Sequence, residues 1–457
     1  MVPPSASWGG ILRKFMWLFA VLAMLAAGAS PVHAYEPPPG AVFNVPRPWG
    51  TDAERYRIVR TVVEAIRKTR PTKRHPDPVI LVSTYLLDHT GSVDALIGAC
   101  RRGVAVRVIL DEDIDNRNSR RLIQALNGDN VKDEDGDGVA DRPPKRRKCN
   151  RPLKTDGGRV MADETLITTE QARASLRAVT QDSVTWGKDG SYVKKCDGSC
   201  RGRGGNMHSK FYAFSRTGKA RNVVMVSSSN LNRGGALMGW NDMYVMKERP
   251  RSYRGYKRIH REMTDDTRAG DGKVEIKDGP FTSRFFPMRK ATKRTDPTLR
   301  DLKKIRCTSG FKHRTWVHVS MFYWKGTRGQ YIADRLLTLA RQGCDVNIIY
   351  GAPSREIAER LRNAARAGLI DLYDSRWDHD GDGFNEVRTH AKYVLVKGHY
   401  DGNPRSHQVM TGTQNWVAGS LKRSDENSLN ISLRSAWLDY LANWRQIRQH
   451  SRQLPYR

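Results

Sequence analysis

One pattern occurs twice in this chain, and the repetition restricts what it can fold into. Residues 79–110 read VILVSTYLLDHTGSVDALIGACRRGVAVRVIL, and residues 317–349 read VHVSMFYWKGTRGQYIADRLLTLARQGCDVNII. Each begins with a β-branched run, passes a polar turn and enters a helical pattern. Each then stops at a glycine, Gly103 or Gly343, before a second β-branched run. Glycine just past a helix suits the left-handed conformation that ends it. The spacing therefore predicts strand–helix–strand, the parallel crossover unit, in both halves. A chain of 457 residues is too long for one ordinary core and suits two lobes. The expected fold is α/β and pseudo-twofold: two lobes, each a mixed sheet flanked by helices. They span 35–270, with an insertion over 111–205, and 271–457, and the boundary falls in the Gly- and Asp-bearing stretch Asp265 to Gly272.

A second repeat follows each unit. The first half has His208-Ser209-Lys210 and then VVMVSSSNLN, which holds Asn230; the second has His390-Ala391-Lys392 and then VMTGTQNW, which holds Asn415. An acidic residue trails each, Asp242 in WNDMYV and Glu426 in RSDENSL. If His-x-Lys opens a strand, alternation puts His and Lys on one face. Brought together, two Lys and two Asn suit the oxygens of a phosphate diester, with Lys acting as a point charge. One neutral imidazole can attack phosphorus to give a phosphohistidine. The other, as imidazolium, can protonate the leaving alkoxide and later deprotonate water or an alcohol. Asp242 and Glu426 would each orient a histidine through its second ring nitrogen.

The paired His-x-Lys/Asn motifs resemble the phospholipase D superfamily, and the resemblance covers the chain from near Phe43 to the last helix. It implies that His208 is the nucleophile and His390 the acid/base. Lys210, Lys392, Asn230 and Asn415 become the phosphate ligands, with no cofactor for catalysis. The family pattern has Asp five residues after each Lys, where this chain has Ser215 and Lys397. With both motifs in one chain, a monomer is expected. The reaction implied is hydrolysis or transphosphatidylation of glycerophospholipids, for which Tyr323, Trp324, Trp416 and Trp437 offer headgroup and interfacial contacts. The alternatives are a non-specific nuclease of the same superfamily acting on DNA or RNA, and a silent binder of anionic polymers. The intact His, Lys and Asn of both halves count against the binder. A formal net charge of +31 argues for polyanionic partners, nucleic acid or an anionic membrane surface, without choosing between them.

Two acidic loops also repeat. Asp133, Asp135, Asp137 and Asp141 in one, and Asp378, Asp380, Asp382 and Glu386 in the other, fit D-x-D-G-D-G-x-x-[DE]. These are calcium-loop positions 1, 3, 5 and 9 with Gly at 6, though neither loop has Glu at position 12. A structural calcium is expected, with a solvated acidic turn as the alternative. At the N-terminus, Arg13 and Lys14 precede the apolar run Phe15–Ala27 and a small-residue site ending at Ala34. This reads as a signal peptide over residues 1–34 and a secreted product. Six cysteines (Cys100, Cys149, Cys196, Cys200, Cys307, Cys344) in an oxidising compartment suggest disulfides. Cys307 with Cys344 is one natural pair within the second half, and the other pairings stay open. Cys196-x3-Cys200 with His208 and Cys149 is a weaker zinc alternative. The basic, Cys-bearing stretch from Lys145 to Arg203 has no repeat partner and reads as an insertion: a substrate-selecting loop or a disulfide-pinned surface loop.

Overall fold

The computed structural model describes residues 1, 35–127, 155–156, 159–162, 165–166, 190–307 and 314–454. The apolar run Phe15–Ala27, the first acidic loop and most of the insertion lie outside them. Met1–Tyr35 and Glu36–Arg457 are separate units, and all the described strands and helices belong to the second. No helix among the described residues is long and apolar enough to cross a membrane.

Both crossover units form as the pattern requires. Val79–Ser83, the helix Thr90–Arg101 and Ala105–Asp111 make the first, and Trp316–Trp324, the helix Gly326–Arg341 and Asp345–Pro353 the second. The strands of each unit pair in parallel. Gly103 and Gly343 adopt φ of +90° and +93°, which side-chain-bearing residues avoid, so each helix can turn back at once into its second strand. The first helix is entered through His89, whose ring accepts the N–H of Ser92.

The seven-stranded sheet runs in the order Gly40–Phe43, Asp242–Met246, Ala220–Ser227, Phe211–Thr217, Val79–Ser83, Ala105–Asp111, Tyr192–Cys196. The nine-stranded sheet repeats its central order with Glu426–Ile431, Asn403–Gly412, Lys392–Tyr400, Trp316–Trp324 and Asp345–Pro353. Even the register repeats: Ser83 faces Phe211 as Ser320 faces Tyr393. Each sheet has its own outer core, with Val82, Leu96 and Val108 in the first and Val319, Leu336 and Ile348 in the second. A third cluster joins the inner faces. Phe211, Val224 and Tyr244 of one sheet share it with Tyr393, Leu395 and Leu429 of the other, and Tyr256, Trp437, Tyr440 and Trp444 add helical side chains. This shared core fixes the two sheets against each other and so fixes what meets along their seam.

Disulfides join Cys307 to Cys344 and Cys196 to Cys200. The first is the expected pair. The second removes the zinc alternative, because both thiolates are consumed in a bond. Cys100 is also disulfide-bonded. The Cys307–Cys344 link closes a separation of 37 residues around the second crossover helix. Replacing both cysteines by Ala is expected to cost about 4 kcal/mol of unfolding free energy in guanidinium titrations, by releasing that loop in the unfolded chain.

Candidate active site

Each His-x-Lys segment is seated on the other half of the chain. The backbone N–H of His208 donates to Asp425 O at 2.9 Å, and Met207 forms a parallel bridge with Asp425. In the mirror arrangement His390 N–H donates to Trp240 O at 2.9 Å, and Gly239–Trp240 pairs in parallel with Arg388–Thr389. A Cβ on Gly239 would meet Asn241 Nδ2 at 2.8 Å and His390 Cβ at 3.1 Å, so a side chain there would push on both residues. His208 precedes its strand, which starts at Phe211, and Lys392 is the first residue of the second. The motifs therefore sit at strand entrances, at the seam.

Glu426 meets His208: its buried carboxylate is 2.9 Å from Nδ1 and also accepts the Thr413 hydroxyl. Asp242 does not orient a histidine, which corrects the sequence reading. Its carboxylate is buried and accepts the hydroxyls of Thr411 and Tyr440. His390 Nδ1 instead meets Asn241 Oδ1 at 2.8 Å. The reason is a register of one residue. Trp240 lies opposite Thr389 as Asp425 lies opposite Met207, so the counterpart of Glu426 is Asn241. Asp242 then corresponds to Asn427, whose side chain accepts the N–H of Lys210 at 3.2 Å.

Lys210 and Lys392 are both buried, and each Nζ donates to the carbonyl of its own histidine. Burial pushes the Lys210 ammonium down to about 7, with Glu426 and Asp111 pulling the other way. Burial and then the charge of Lys210 hold Lys392 well below the usual lysine range. Glu426 of the second half reaches His208 and Asn241 of the first reaches His390, so the two motifs meet at one seam. Burial also lowers His208, against the pull of Glu426, and holds His390 well below its ordinary value together with Lys392, Lys210 and His208. A site that concentrates positive charge this way is complementary to an anion.

Asn230 Oδ1 accepts the N–H of Leu86 at 3.2 Å, which turns its NH2 outward as a donor. Asn415 stands in a loop held by the buried Arg328, which donates to Asn415 O at 2.8 Å and Gln414 Oε1 at 2.8 Å while pairing with Asp296 at 2.8 Å. Sequence reasoning missed Tyr85 and Phe322. Tyr85 lies 5.4 Å from the ring of His208 and 5.5 Å from Lys210 Nζ; Phe322 lies 4.8 Å from His390 and 5.2 Å from Lys392 Nζ. The shared Ser in VSTY and VSMF was the available signal. Trp416 is a further correction. It is 3% exposed and packs edge-on against Trp324 in the core of the second half. Trp324 and Trp437 are likewise buried, so these three rings offer no interfacial surface.

The two departures after the lysines have structural uses. Ser215 Oγ accepts the N–H of Val79 at 2.8 Å. Lys397 lies over the rings of Trp316 and Trp437, 4.6 and 5.7 Å from their centres. In the second acidic loop, Asp378, Asp380, Asp382 and Glu386 bring ligand oxygens within 4.8 Å of one another, and Asp378 accepts the N–H groups of Gly381 and Gly383. Asp133, Asp135, Asp137 and Asp141 lie outside the described residues.

A family model described as "Cardiolipin synthase, PLD-like domain" matches residues 77–264 and 312–447, both halves of the pattern. The chain belongs to the phospholipase D superfamily. Among solved structures it is similar to phosphatidylserine synthase of Haemophilus influenzae Rd KW20, at 14% identity over 88% of this chain and 86% of that one (TM-score 0.48). It is also similar to polyphosphate kinase from Porphyromonas gingivalis, at 11% identity over 89% of this chain (TM-score 0.47), and it spans 46% of that protein's length. Nuc from Salmonella typhimurium, a phospholipase D family member, matches at 16% identity over 38% of this chain and 97% of its own (TM-score 0.27). No curated protein matches the chain. Enzymes of the superfamily act on phosphodiesters, and their catalysis is generally independent of a cofactor.

Arg328 gives a direct test of how this phospholipase D-like site is held. Asp296→Ala would leave a buried guanidinium without its carboxylate, at a cost of about 3–5 kcal/mol. Denaturant melts should show that loss, whereas removal of the exposed Arg355–Glu359 pair should leave the melt where it is.

Proposed function

We propose that this chain is a secreted phosphodiesterase of the phospholipase D type that hydrolyses or transphosphatidylates glycerophospholipids. The observation that carries the reading is the meeting of both His-Lys pairs along one seam, where each histidine is held by backbone of the opposite half and its ring by Glu426 or Asn241 of that half.

In this reading Lys210, Lys392, Asn230 and Asn415 bind the phosphate oxygens and hold phosphorus between the two rings. The Nε2 lone pair of His208 forms the N–P bond, and the P–O bond to the leaving alcohol breaks with its electrons on oxygen. His390 Nε2–H gives that oxygen its proton. Water, or an acceptor alcohol, then loses a proton to His390 Nε2 as its oxygen bonds to phosphorus, and the N–P electrons return to His208. The bound diester's negative charge offsets the two ammoniums, so His390 takes up its proton most readily when substrate is present. No second chain is required, since both half-sites come from one, and a monomer is the expected state. A basic surface would hold the enzyme against anionic lipid. The reading includes a structural calcium in the loop Asp378–Glu386, supported by the convergence of its four carboxylates.

The deciding assay offers labelled phosphatidylcholine, phosphatidylglycerol and plasmid DNA to the purified chain, with EDTA present. Lipid turnover is expected. DNA cleavage without lipid turnover would make the chain a nuclease, and turnover of no diester would make it a binder. His208→Ala is expected to abolish turnover, and His390→Ala to spare only substrates with good leaving groups; near-normal rates in either variant refute the roles. Calcium is expected to raise the melting temperature, and an unchanged melt marks the loop as a solvated turn.

A further inference from the structure

The two half-sites are built from the same hydrogen bonds on different side chains. In the second half Thr413 N–H donates to Asn427 O at 2.9 Å, Asn427 N–H to Thr413 Oγ1 at 3.0 Å, and Thr413 Oγ1–H to Glu426 Oε2 at 2.5 Å. In the first, Ser228 N–H donates to Asp242 O at 2.9 Å, Asp242 N–H to Ser228 Oγ at 3.0 Å, and Ser228 Oγ–H to Asn241 Oδ1 at 3.2 Å. Every one of these links is matched, but amide and carboxylate are exchanged between neighbouring positions: Glu426-Asn427 puts a carboxylate on His208, and Asn241-Asp242 puts an amide on His390.

The amide's orientation is set by its surroundings. Asn241 Nδ2 donates to Gly235 O and Gly239 O, both at 3.0 Å, which turns Oδ1 toward the ring. An amide oxygen carries no proton, so the 2.8 Å contact requires the proton to be on His390 Nδ1. Nε2 is then the nitrogen left for chemistry. The other groups acting on His390 are cationic or titrate to cations: Lys392 beside it, Lys210 and His208 from the first half, and Arg388 before it. Phe322 covers its face and adds no charge. The carboxylates Asp242 and Glu426 act on Lys392, and Glu426 makes its hydrogen bond to the other imidazole.

We infer that Asn241 is a positioning residue that makes the two histidines non-interchangeable: by giving His390 a neutral partner where His208 has a carboxylate, it places the lasting positive charge on His208 and leaves His390 to release its proton. The consequence for the proposed reaction, on which this inference rests for its catalytic part, follows from charge. A phosphorylated imidazole that keeps its Nδ1 proton is cationic, and Glu426 stabilises that cation through the intermediate's lifetime. An imidazolium held only by an amide is the stronger acid and gives its proton to the alkoxide more easily.

The test is Asn241→Asp with Glu426→Gln beside it, read by NMR titration of labelled histidine and by pH–rate profiles. In Asn241→Asp a carboxylate next to His390 favours its protonated form, so its titration is expected to move up by about 1–3 pH units. The alkaline limb of kcat/KM, which reports loss of the required acid, should move up with it. Turnover of alkyl leaving groups should fall more than that of nitrophenyl ones, because the acid is weaker. A merely structural disturbance slows both alike and leaves the titration in place, and that result overturns the inference. Asn241→Asp loses the two donations to glycine carbonyls, so Glu426→Gln covers the case in which it does not fold. There the His208 titration should move down and less phosphohistidine should be trapped on quenching; an unchanged titration in the folded protein overturns the inference equally. If the wild-type chain turns over no diester while the titrations move as stated, the proposed function fails and the charge-setting role of Asn241 stands.

Discussion

The site depends on an exchange between halves: His208 N–H reaches Asp425 O, and His390 N–H reaches Trp240 O. Each reactive residue is held by backbone belonging to the opposite half. Neither half could therefore position its own histidine alone, although each has a sheet and an outer core of its own. The shared inner core, with Phe211 and Tyr244 packed into one cluster with Tyr393 and Leu429, supplies the rigidity this exchange needs. Apolar burial along the seam thus sets the geometry of polar chemistry at its edge.

That geometry opposes folding. Burial lowers the protonation of both lysines, the charge of Lys210 lowers Lys392 further, and the two half-buried histidines are pushed the same way. Desolvating an ammonium costs several kcal/mol unless an anion compensates. Within the site Glu426, Asp111 and Asp242 compensate only in part. Such a cluster is tolerated because surrounding structure over-determines it: Asp111 accepts the N–H of Met207 at 2.8 Å, and Asp425 O fixes the next residue. A phosphate diester entering the seam would supply the missing charge, so the binding free energy of the substrate is in part the relief of this repulsion.

The duplication was legible in the sequence because its signals are local. Gly103 and Gly343, the β-branched runs and the two His-x-Lys/Asn motifs each depend on spacing within a few dozen residues. The Cys307–Cys344 pair was legible for the same reason. What the sequence hid were relations across the seam. Asp242 looked like the equivalent of Glu426 because both are acidic and follow an Asn-bearing turn, yet only the pairing of Trp240 with Thr389 fixes the register and makes Asn241 the true counterpart. Trp416 looked accessible because it follows Asn415. The chain turns it into the core against Trp324, 4.7 Å away and nearly perpendicular.

A two-fold arrangement of identical half-sites has no means of deciding which imidazole attacks and which donates. In the proposed mechanism the duplicated chain removes that degeneracy by exchanging amide and carboxylate, Asn241-Asp242 against Glu426-Asn427, without altering the backbone, since the matched bonds of Ser228 and Thr413 are kept on both sides. The exchange puts an amide at Nδ1 of His390 and leaves the carboxylate of Asp242 acting on Lys392 instead. Because the ring's second nitrogen is about 2 Å from the first and surrounded by buried cations, that change acts at low effective dielectric, where it counts for more than it would in water. Fusion of two half-sites into one chain is what makes the substitution available. In a symmetric pair of identical subunits, any residue changed beside one histidine is changed beside both.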